Sequence, residues 1–548
     1  MKQKIKELKW GFYDSYSNYI PPLKFSNGKD QEQVVNEILE AFESSDHVFL
    51  KAAVGSGKSA IALHVIADLG RGIISVPVKE LQNQYERDYY KNKYVDIGRG
   101  KLKIRLFKGR ANFHCVFCGK SVSNAQLPCT RPLDEGESRW SAATCCPFWN
   151  PIYPEPMDEG ISYRYESITG MKYYIKRGEG CEYYDQFFGY INGDILTMNS
   201  AKWLVETMIG RKPLVDVCIF DESDAWLDSL TFEVSIGSKT INKLRYELDE
   251  DTVKSIVISL DLVLMGELDP IGFLRKLKAD LEHREGDHTQ ELYHKIALIL
   301  KHEDALEFYI GEKSIKYFIP DPSITLKTLL ERSAKKILFM SATAQSKEVL
   351  NEIYKIDPIF VEGETRFPGL LIRQRTGKEE VVNYQKWEKE SFRKKYWQVL
   401  QEILEVAEKP ILVNVHGYKY LPKERIGLIP SQYEVEEYQD LAIVLFLERG
   451  GIVFATKLDR GIDLKGEKAR SIVMTKYPYA LRNDPILLAM AKRLGKEKFE
   501  IYYQDLADRT FVQSVGRVLR AKDDFAEFWS PDLRCHEALL ELWDGDIL

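Results

Sequence analysis

The stretch that most constrains this chain runs from Val48 to Ile66. Val48-Phe49-Leu50 is an apolar run of the length of a short buried strand. It leads into Ala52-Ala53-Val54-Gly55-Ser56-Gly57-Lys58-Ser59, after which Ala60 to Ile66 reads as a helix. Strand, glycine loop and helix in this order are the setting a phosphate-binding loop requires. Glycines let backbone N–H groups turn inward around phosphates, and the helix N-terminus adds partial positive charge. Lys58 is expected at the β- and γ-phosphates of ATP, the Ser59 hydroxyl on Mg²⁺, and Gly55, Ser56 and Gly57 in the cradle. Ala52 stands at the first loop position, where glycine is usual.

A phosphate loop needs a carboxylate for its magnesium. Val215 to Phe220 is an apolar strand that ends in Asp221-Glu222-Ser223-Asp224. The C-terminal end of a buried strand is where an open α/β sheet binds its ligand. Asp221 is therefore expected to hold Mg²⁺, directly or through water, and Glu222 to act as general base on the attacking water. Ile337 to Met340 is a further buried strand, running into Ser341-Ala342-Thr343. Those hydroxyls are suited to hydrogen-bond the acidic motif and relay the nucleotide state.

The α/β pattern repeats towards the C-terminus. Strands are expected at Pro410–Val415, Gly451–Ala455 and Ser471–Met474, the second running into Thr456 and on to Gly461-Ile462-Asp463. Then follows Gln513-Ser514-Val515-Gly516-Arg517-Val518-Leu519-Arg520. On a helix Gln513, Arg517 and Arg520 would share one face, and Val512, Val515, Val518 and Leu519 would form a buried stripe. Two arginines and a glutamine at the edge of a cleft suit a γ-phosphate held by another lobe.

With 548 residues the chain should form three or four domains. No apolar run is long enough to span a membrane, and the lysine-rich start lacks the apolar core of a secretory signal, so an intracellular protein is expected, cytoplasmic if prokaryotic. A net charge of −6 argues against a globally basic nucleic-acid binder but leaves room for a local groove. Lys101, Lys103, Arg105, Lys108 and Arg110 form one basic stretch and Arg393, Lys394 and Lys395 another; each by itself reads as a solvated face. Six of eight cysteines lie between Cys115 and Cys181, and such clustering in an intracellular protein points to metal. Four thiolates can take a [4Fe–4S] cluster or zinc, and the Cys115/Cys118 CxxC pair by itself leans towards zinc. Cys218 and Cys535 read as structural.

The ordered set AxxxxGKS, DExD, SAT, Gly-Ile-Asp and QxxGRxxR resembles the helicases of superfamily 2. Within them the chain is similar to the XPD/DinG branch of iron–sulfur helicases. The nearer match is carried by Lys108 to Cys115, Cys181-Glu182-Tyr183-Tyr184, Asp194 to Asn199, Phe318 to Ser323, Tyr477-Pro478-Tyr479 and Ser530 to Arg534. It covers most of the chain from about residue 28 to 535. Three departures stand out. Asp224 replaces the branch's histidine, Arg460 precedes Gly461 where an acidic residue is more usual, and Gly28-Lys29-Asp30-Gln31 matches the adenine-reading segment only loosely.

The resemblance implies an α/β fold of two RecA-like parallel-sheet lobes. The first lobe would carry a cysteine-rich metal-cluster insertion and a mainly helical Arch-type insertion. The boundaries implied are 1–110, 186–225 and 331–368 for lobe one, 111–185 for the cluster insertion, 226–330 for the Arch and 369–548 for lobe two. ATP would sit between the lobes, with Gln31 at the adenine edge and Asp463, Gln513, Arg517 and Arg520 reaching it from lobe two. The family match favours a [4Fe–4S] cluster over zinc, with Cys115 and Cys181 as the firmest ligands, Cys129 and Cys146 next, and Cys118 and Cys145 as alternates. The activity implied is ATP-dependent 5′-to-3′ movement on single-stranded DNA by a monomer acting at single-strand/duplex junctions, in repair or related DNA metabolism. Two rival classes share parts of this sequence: a nucleic-acid-stimulated ATPase that remodels protein–DNA complexes or acts on RNA, and a P-loop ATPase unrelated to nucleic acid.

Overall fold

The computed structural model describes residues 10–98, 100–122, 127–129, 141, 143, 145–153, 162–176, 180–282, 284, 287–456, 466–519 and 521–548. Two wholly parallel sheets dominate it. The first orders its strands as Ile359–Glu362, His47–Lys51, Lys336–Ser341, Val217–Asp221, Gly72–Val76, Ile195–Asn199 and Ile104–Phe107. The second runs Ile452–Ala455, Ile411–Asn414, Ser471–Met474, Phe525–Trp529, Leu370–Arg373 and Asp546–Ile547. Strands covered by helices on both faces read as continuous apolar runs, which is why Val48-Phe49-Leu50 and Ile337 to Met340 were legible as strands. The two RecA-like lobes expected from the sequence are therefore present.

Register in the first sheet is marked by one row of phenylalanines. Phe360, Phe49, Phe339 and Phe220 sit opposite one another on four adjacent strands. Their ring centroids are 5.3, 5.9 and 5.7 Å apart in turn. Trp226 closes the row by stacking on Phe220 at 3.8 Å. Aromatic pairs of this kind contribute about 0.5–1.5 kcal/mol each beyond the area they bury. A slip by one residue would turn every ring to the opposite face, so the row holds the strand ends in place.

Those ends matter for chemistry. The strands of the phosphate loop, the SAT motif and the acidic motif are neighbours, with Ser341 opposite Lys51 and Met340 opposite Asp221. Because all run the same way, their C-terminal ends open on one edge of the sheet.

The segment between the lobe-one strands Val217–Asp221 and Lys336–Ser341 is not helical alone. Helices Glu250–Leu264, Pro270–Leu281 and Asp287–Leu300 make up most of its helical part. They accompany a three-stranded antiparallel sheet ordered Glu233–Gly237, Ser314–Phe318 and Glu307–Ile310. In the cysteine-rich segment Ser162–Glu166 and Lys172–Lys176 form an antiparallel hairpin. Below it Glu206, buried in helix Ser200–Ile209, is held by Lys202 at 2.7 Å and Arg211 at 2.6 Å. Burial alone would raise this carboxyl, but the two cations hold it down to about 2.

In lobe two, helix Lys496–Val515 ends earlier than the motif spacing suggested. Gly516 caps it, so Gln513 lies on the helix while Arg517 falls in the turn beyond. Glycine has low helix propensity, and the chain turns there so that Val515, Val518 and Leu519 are all fully buried. The expectation of one continuous helical face from Gln513 to Arg520 is corrected accordingly; Arg520 lies outside the described residues. The basic run Arg393-Lys394-Lys395 is a solvated face, with Lys394 paired to Glu390 at 2.8 Å and Lys395 bonded to Glu380. No helix among the described residues is long and apolar enough to cross a membrane.

Candidate nucleotide site and lobe junction

The phosphate loop leaves the His47–Lys51 strand and turns into helix Lys58–Leu69. Gly55 and Gly57 take φ of 83° and 76°, left-handed conformations that glycine adopts freely. Lys58 is buried, and its ammonium donates to the Ala52 carbonyl at 3.0 Å and the Ala53 carbonyl at 3.4 Å, folding over the loop. The Ser56 hydroxyl donates to the Ala53 carbonyl at 2.7 Å. Gln31 is buried against the loop rather than beside an open edge. Its Nε2 donates to the Ser56 carbonyl at 3.0 Å and the Gly57 carbonyl at 3.3 Å, while its Oε1 accepts the Leu23 N–H at 2.9 Å. The carboxamide is a strut for the loop in this state.

Asp221 ends its strand buried beside the loop. Burial, then the neighbouring Glu222 carboxylate, pushes its carboxyl up to about 6, against the pull of Lys58. Tyr85 donates to Asp221 Oδ2 at 2.9 Å. Tyr85 and Tyr89 also lie close to Ser59, so the two residues expected at magnesium share a tyrosine neighbourhood. Neither tyrosine was picked out from the sequence, since Tyr85 in helix Lys79–Glu86 and Tyr89 in the following turn Arg87–Lys91 lie in a polar stretch remote from any motif. Glu222 sits at φ 51° and ψ 50°, left-handed for a residue with a side chain. That costs on the order of 1 kcal/mol and makes the sharp turn from strand to helix Ser223–Asp228.

Asp224, the residue that departs from the branch's histidine, gathers three donors. Ser341 donates to its Oδ1 at 2.7 Å, Thr343 to its Oδ2 at 3.1 Å, and Gln513 of lobe two to the same Oδ2. Gln513 also donates to the Thr343 hydroxyl at 2.6 Å. The Gln513 amide is thus engaged in joining the lobes. One turn along, Arg509 pairs with Asp228. Arg509, Asp228 and Gln345 were missed; the matching four-residue spacings 509/513 and 224/228 were the available signal. Asp463 lies outside the described residues.

Four thiols share a second site. Cys115, Cys129, Cys146 and Cys181 line one small cavity with Val122, Leu127, Phe148 and Tyr184, partly open to solvent. Cys118 and Cys145 are exposed and do not line it. Burial raises the thiols of Cys129, Cys146 and Cys181, and neighbouring cysteines raise them further. Arg110 counteracts this at Cys129, its guanidinium lying over the Tyr183 ring at 4.7 Å. Among the described residues no three His, Cys, Asp or Glu side chains converge as the ligands of a single metal ion would. Cys218 and Cys535 are fully buried elsewhere.

Comparison with known proteins adds two domain families. A DEAD/DEAH box helicase model matches residues 28–111, and a helicase C-terminal domain model matches residues 387–541. Three solved structures share the fold over nearly the whole chain. An XPD helicase aligns with a TM-score of 0.61 at 17% identity, covering 94% of this chain and 99% of that one. An apo XPD structure aligns at 0.57 and 14%, and S. tokodaii Xpd4 at 0.55 and 15%, each with the same coverage. No curated protein sequence matches.

Proposed function

We propose that this chain, an XPD-like helicase of superfamily 2 by its two helicase domains and its fold, is an ATP-driven motor that moves 5′ to 3′ on single-stranded DNA and parts the duplex ahead of it. The observation that carries the reading is the Asp224–Thr343–Gln513 junction, which ties the acidic motif of one lobe to the arginine-bearing helix of the other. Such a link lets the nucleotide state of one lobe bear on the position of the other, as a motor requires.

In this reading ATP binds at the edge between the lobes. Lys58 swings from the Ala52 carbonyl to the β- and γ-phosphates, and Gly55, Ser56 and Gly57 turn their N–H groups to them. Ser59 and Asp221 hold Mg²⁺, which would neutralise developing charge on the phosphate oxygens. Glu222 takes a proton from water as its oxygen bonds to the γ-phosphorus and the bond to ADP breaks. Arg517 and Arg520 stabilise the charge from lobe two, Gln513 aligns that lobe with the SAT motif, Asp463 completes the nucleotide pocket, and Gln31, expected at the adenine edge, braces the phosphate loop instead. Hydrolysis releases the closure, and repeated closure ratchets the strand.

The segments 111–185 and 226–330 act as the cluster-bearing wedge and the Arch over the strand. Cys115, Cys129, Cys146 and Cys181 would hold a [4Fe–4S] cluster. The shared apolar cavity supports this, because it gathers four of the six clustered thiols. When bound, the cluster would cross-link four stretches of chain and could carry one electron. Single-strand/duplex junctions are the expected substrate, the protein acts as a monomer, and repair or related DNA metabolism is the setting the resemblance suggests.

The test is ATP hydrolysis without nucleic acid and with single-stranded DNA, duplex DNA or single-stranded RNA, using Lys58→Ala as the blank. Stimulation by single-stranded DNA, lost in the variant, is expected, and displacement of strands from 5′-tailed but not 3′-tailed duplexes. A rate indifferent to every polynucleotide sinks the motor reading, and stimulation by RNA alone moves it to RNA.

A further inference from the structure

Helix Lys496–Val515 meets lobe one along a single line of side chains. Lys498 pairs with Glu352 at 2.7 Å, and Asp505 accepts the Ser346 N–H at 2.8 Å. Arg509 grips Asp228 through both terminal nitrogens, at 2.6 and 2.8 Å, and Gln513 donates to Asp224. Positions 505, 509 and 513 are four residues apart and so share one helix face. Asp224 and Asp228 are likewise four apart on helix Ser223–Asp228. The two faces meet rung against rung in opposite senses, 224 with 513 and 228 with 509.

The Arg509 rung is the rigid one. Arg509 is buried, and its Nε also donates to Asp505 at 2.7 Å. Gln345 reaches the Asp224 carbonyl at 3.0 Å and Asp228 Oδ1 at 3.3 Å, binding the two rungs together. A two-pronged guanidinium–carboxylate fork fixes angle as well as distance. A slip along the helix would strand a buried charge, which is strongly unfavourable. The next position on the same four-residue spacing is Arg517, in the turn after the helix.

We propose that the Arg509–Asp228 fork is a positioning device of the motor, setting the register in which lobe two presents Gln513 and Arg517 to the nucleotide edge of lobe one. This rests on the motor reading above. Neither residue touches the phosphate loop, so the fork acts through the elements it aligns: nucleotide capture belongs to lobe one, and turnover depends on the fork.

The experiment compares the full-length protein with Arg509→Gln, Asp228→Asn and the double variant, by steady-state ATPase on single-stranded DNA and by equilibrium binding of a fluorescent ATP analogue. Each single variant should lose about tenfold or more in kcat, as a small misplacement of reacting groups costs. Nucleotide Kd should stay within about threefold. The double variant should be no worse than the poorer single, because the fork is removed only once. Arg509→Lys, which keeps the charge and loses the fork, should recover part of the rate. Undiminished kcat, or losses that multiply in the double variant, would overturn the proposal. Should Arg509→Gln melt at room temperature, the near-isosteric Asp228→Asn decides. Lobe closure, read by energy transfer between dyes on the two lobes when a non-hydrolysable ATP analogue is added, should be reduced in the variants. Unchanged closure overturns the fork whatever the ATPase rate, whereas a wild-type protein without ATPase defeats the motor reading alone.

Discussion

Asp224 receives Gln513 across the lobe junction on Oδ2, the carboxylate oxygen that also accepts the Thr343 hydroxyl at 3.1 Å. A single carboxylate therefore senses both the SAT motif of its own lobe and the helix of the other. Replacing it with asparagine keeps the shape and removes the charge that draws three donors together. Asp224→Asn should lower DNA-stimulated kcat roughly tenfold or more, about 1.4 kcal/mol of transition-state free energy, with nucleotide binding retained. Stopped-time ATPase assays check this; an unchanged kcat would mean the junction is not coupled to hydrolysis.

Gly57 offers a sharper steric test. A methyl group there would meet Gln31 Nε2 at 2.2 Å, and its φ of 76° disfavours any side chain by about 1–2 kcal/mol. Gln31 cannot yield without giving up its bonds to Ser56, Gly57 and Leu23. Gly57→Ala should weaken ATP binding by about tenfold or more in titration calorimetry. Wild-type affinity would show that the loop adopts another path when occupied.

The cysteines divide by position. Cys115→Ser, Cys129→Ser, Cys146→Ser and Cys181→Ser should each lose iron and visible absorbance from protein purified without oxygen, because each lines the shared cavity. Cys118→Ser and Cys145→Ser should keep both, since those thiols are exposed. Iron retained in any of the first four variants would refute that ligand.

Glu206 links stability to pH. Its folded carboxyl is held down to about 2 from an ordinary value of 4.5, so its contribution is complete above pH 4.5 and is lost as pH falls towards 2. The shift corresponds to about 3 kcal/mol. Glu206→Gln leaves Lys202 and Arg211 without their buried partner and should cost about 3–5 kcal/mol at neutral pH. Urea unfolding at pH 7 and pH 3 checks both values; a variant as stable as wild type at pH 7 would show that the triad contributes nothing.

Much of the architecture was legible because it is written locally. Buried parallel strands such as Ile411–Asn414 and Ser471–Met474 appear as apolar runs, and the phosphate loop carries its glycines and Lys58 in one short segment. The antiparallel strands Glu233–Gly237 and Ser314–Phe318 were not foreseen, since polar residues alternate with apolar ones between obvious helices and the partners lie far apart in sequence. Helix Lys496–Val515 was overextended because spacing by three and four residues persists through Gly516 although the helix does not.

By itself the sequence determined that the chain holds two α/β lobes, with a phosphate loop and an acidic strand end in the first and a glutamine–arginine motif in the second. Loop, strand and turn chemistry act over a few residues and need no distant partner. Only the tertiary structure decided which side chains meet: Tyr85 with Asp221, Gln513 with Asp224, Arg509 with Asp228, and four of six clustered cysteines around one cavity. Those contacts depend on strand order and on the register set by the phenylalanine row, and register is a property of packing between segments that no single segment encodes.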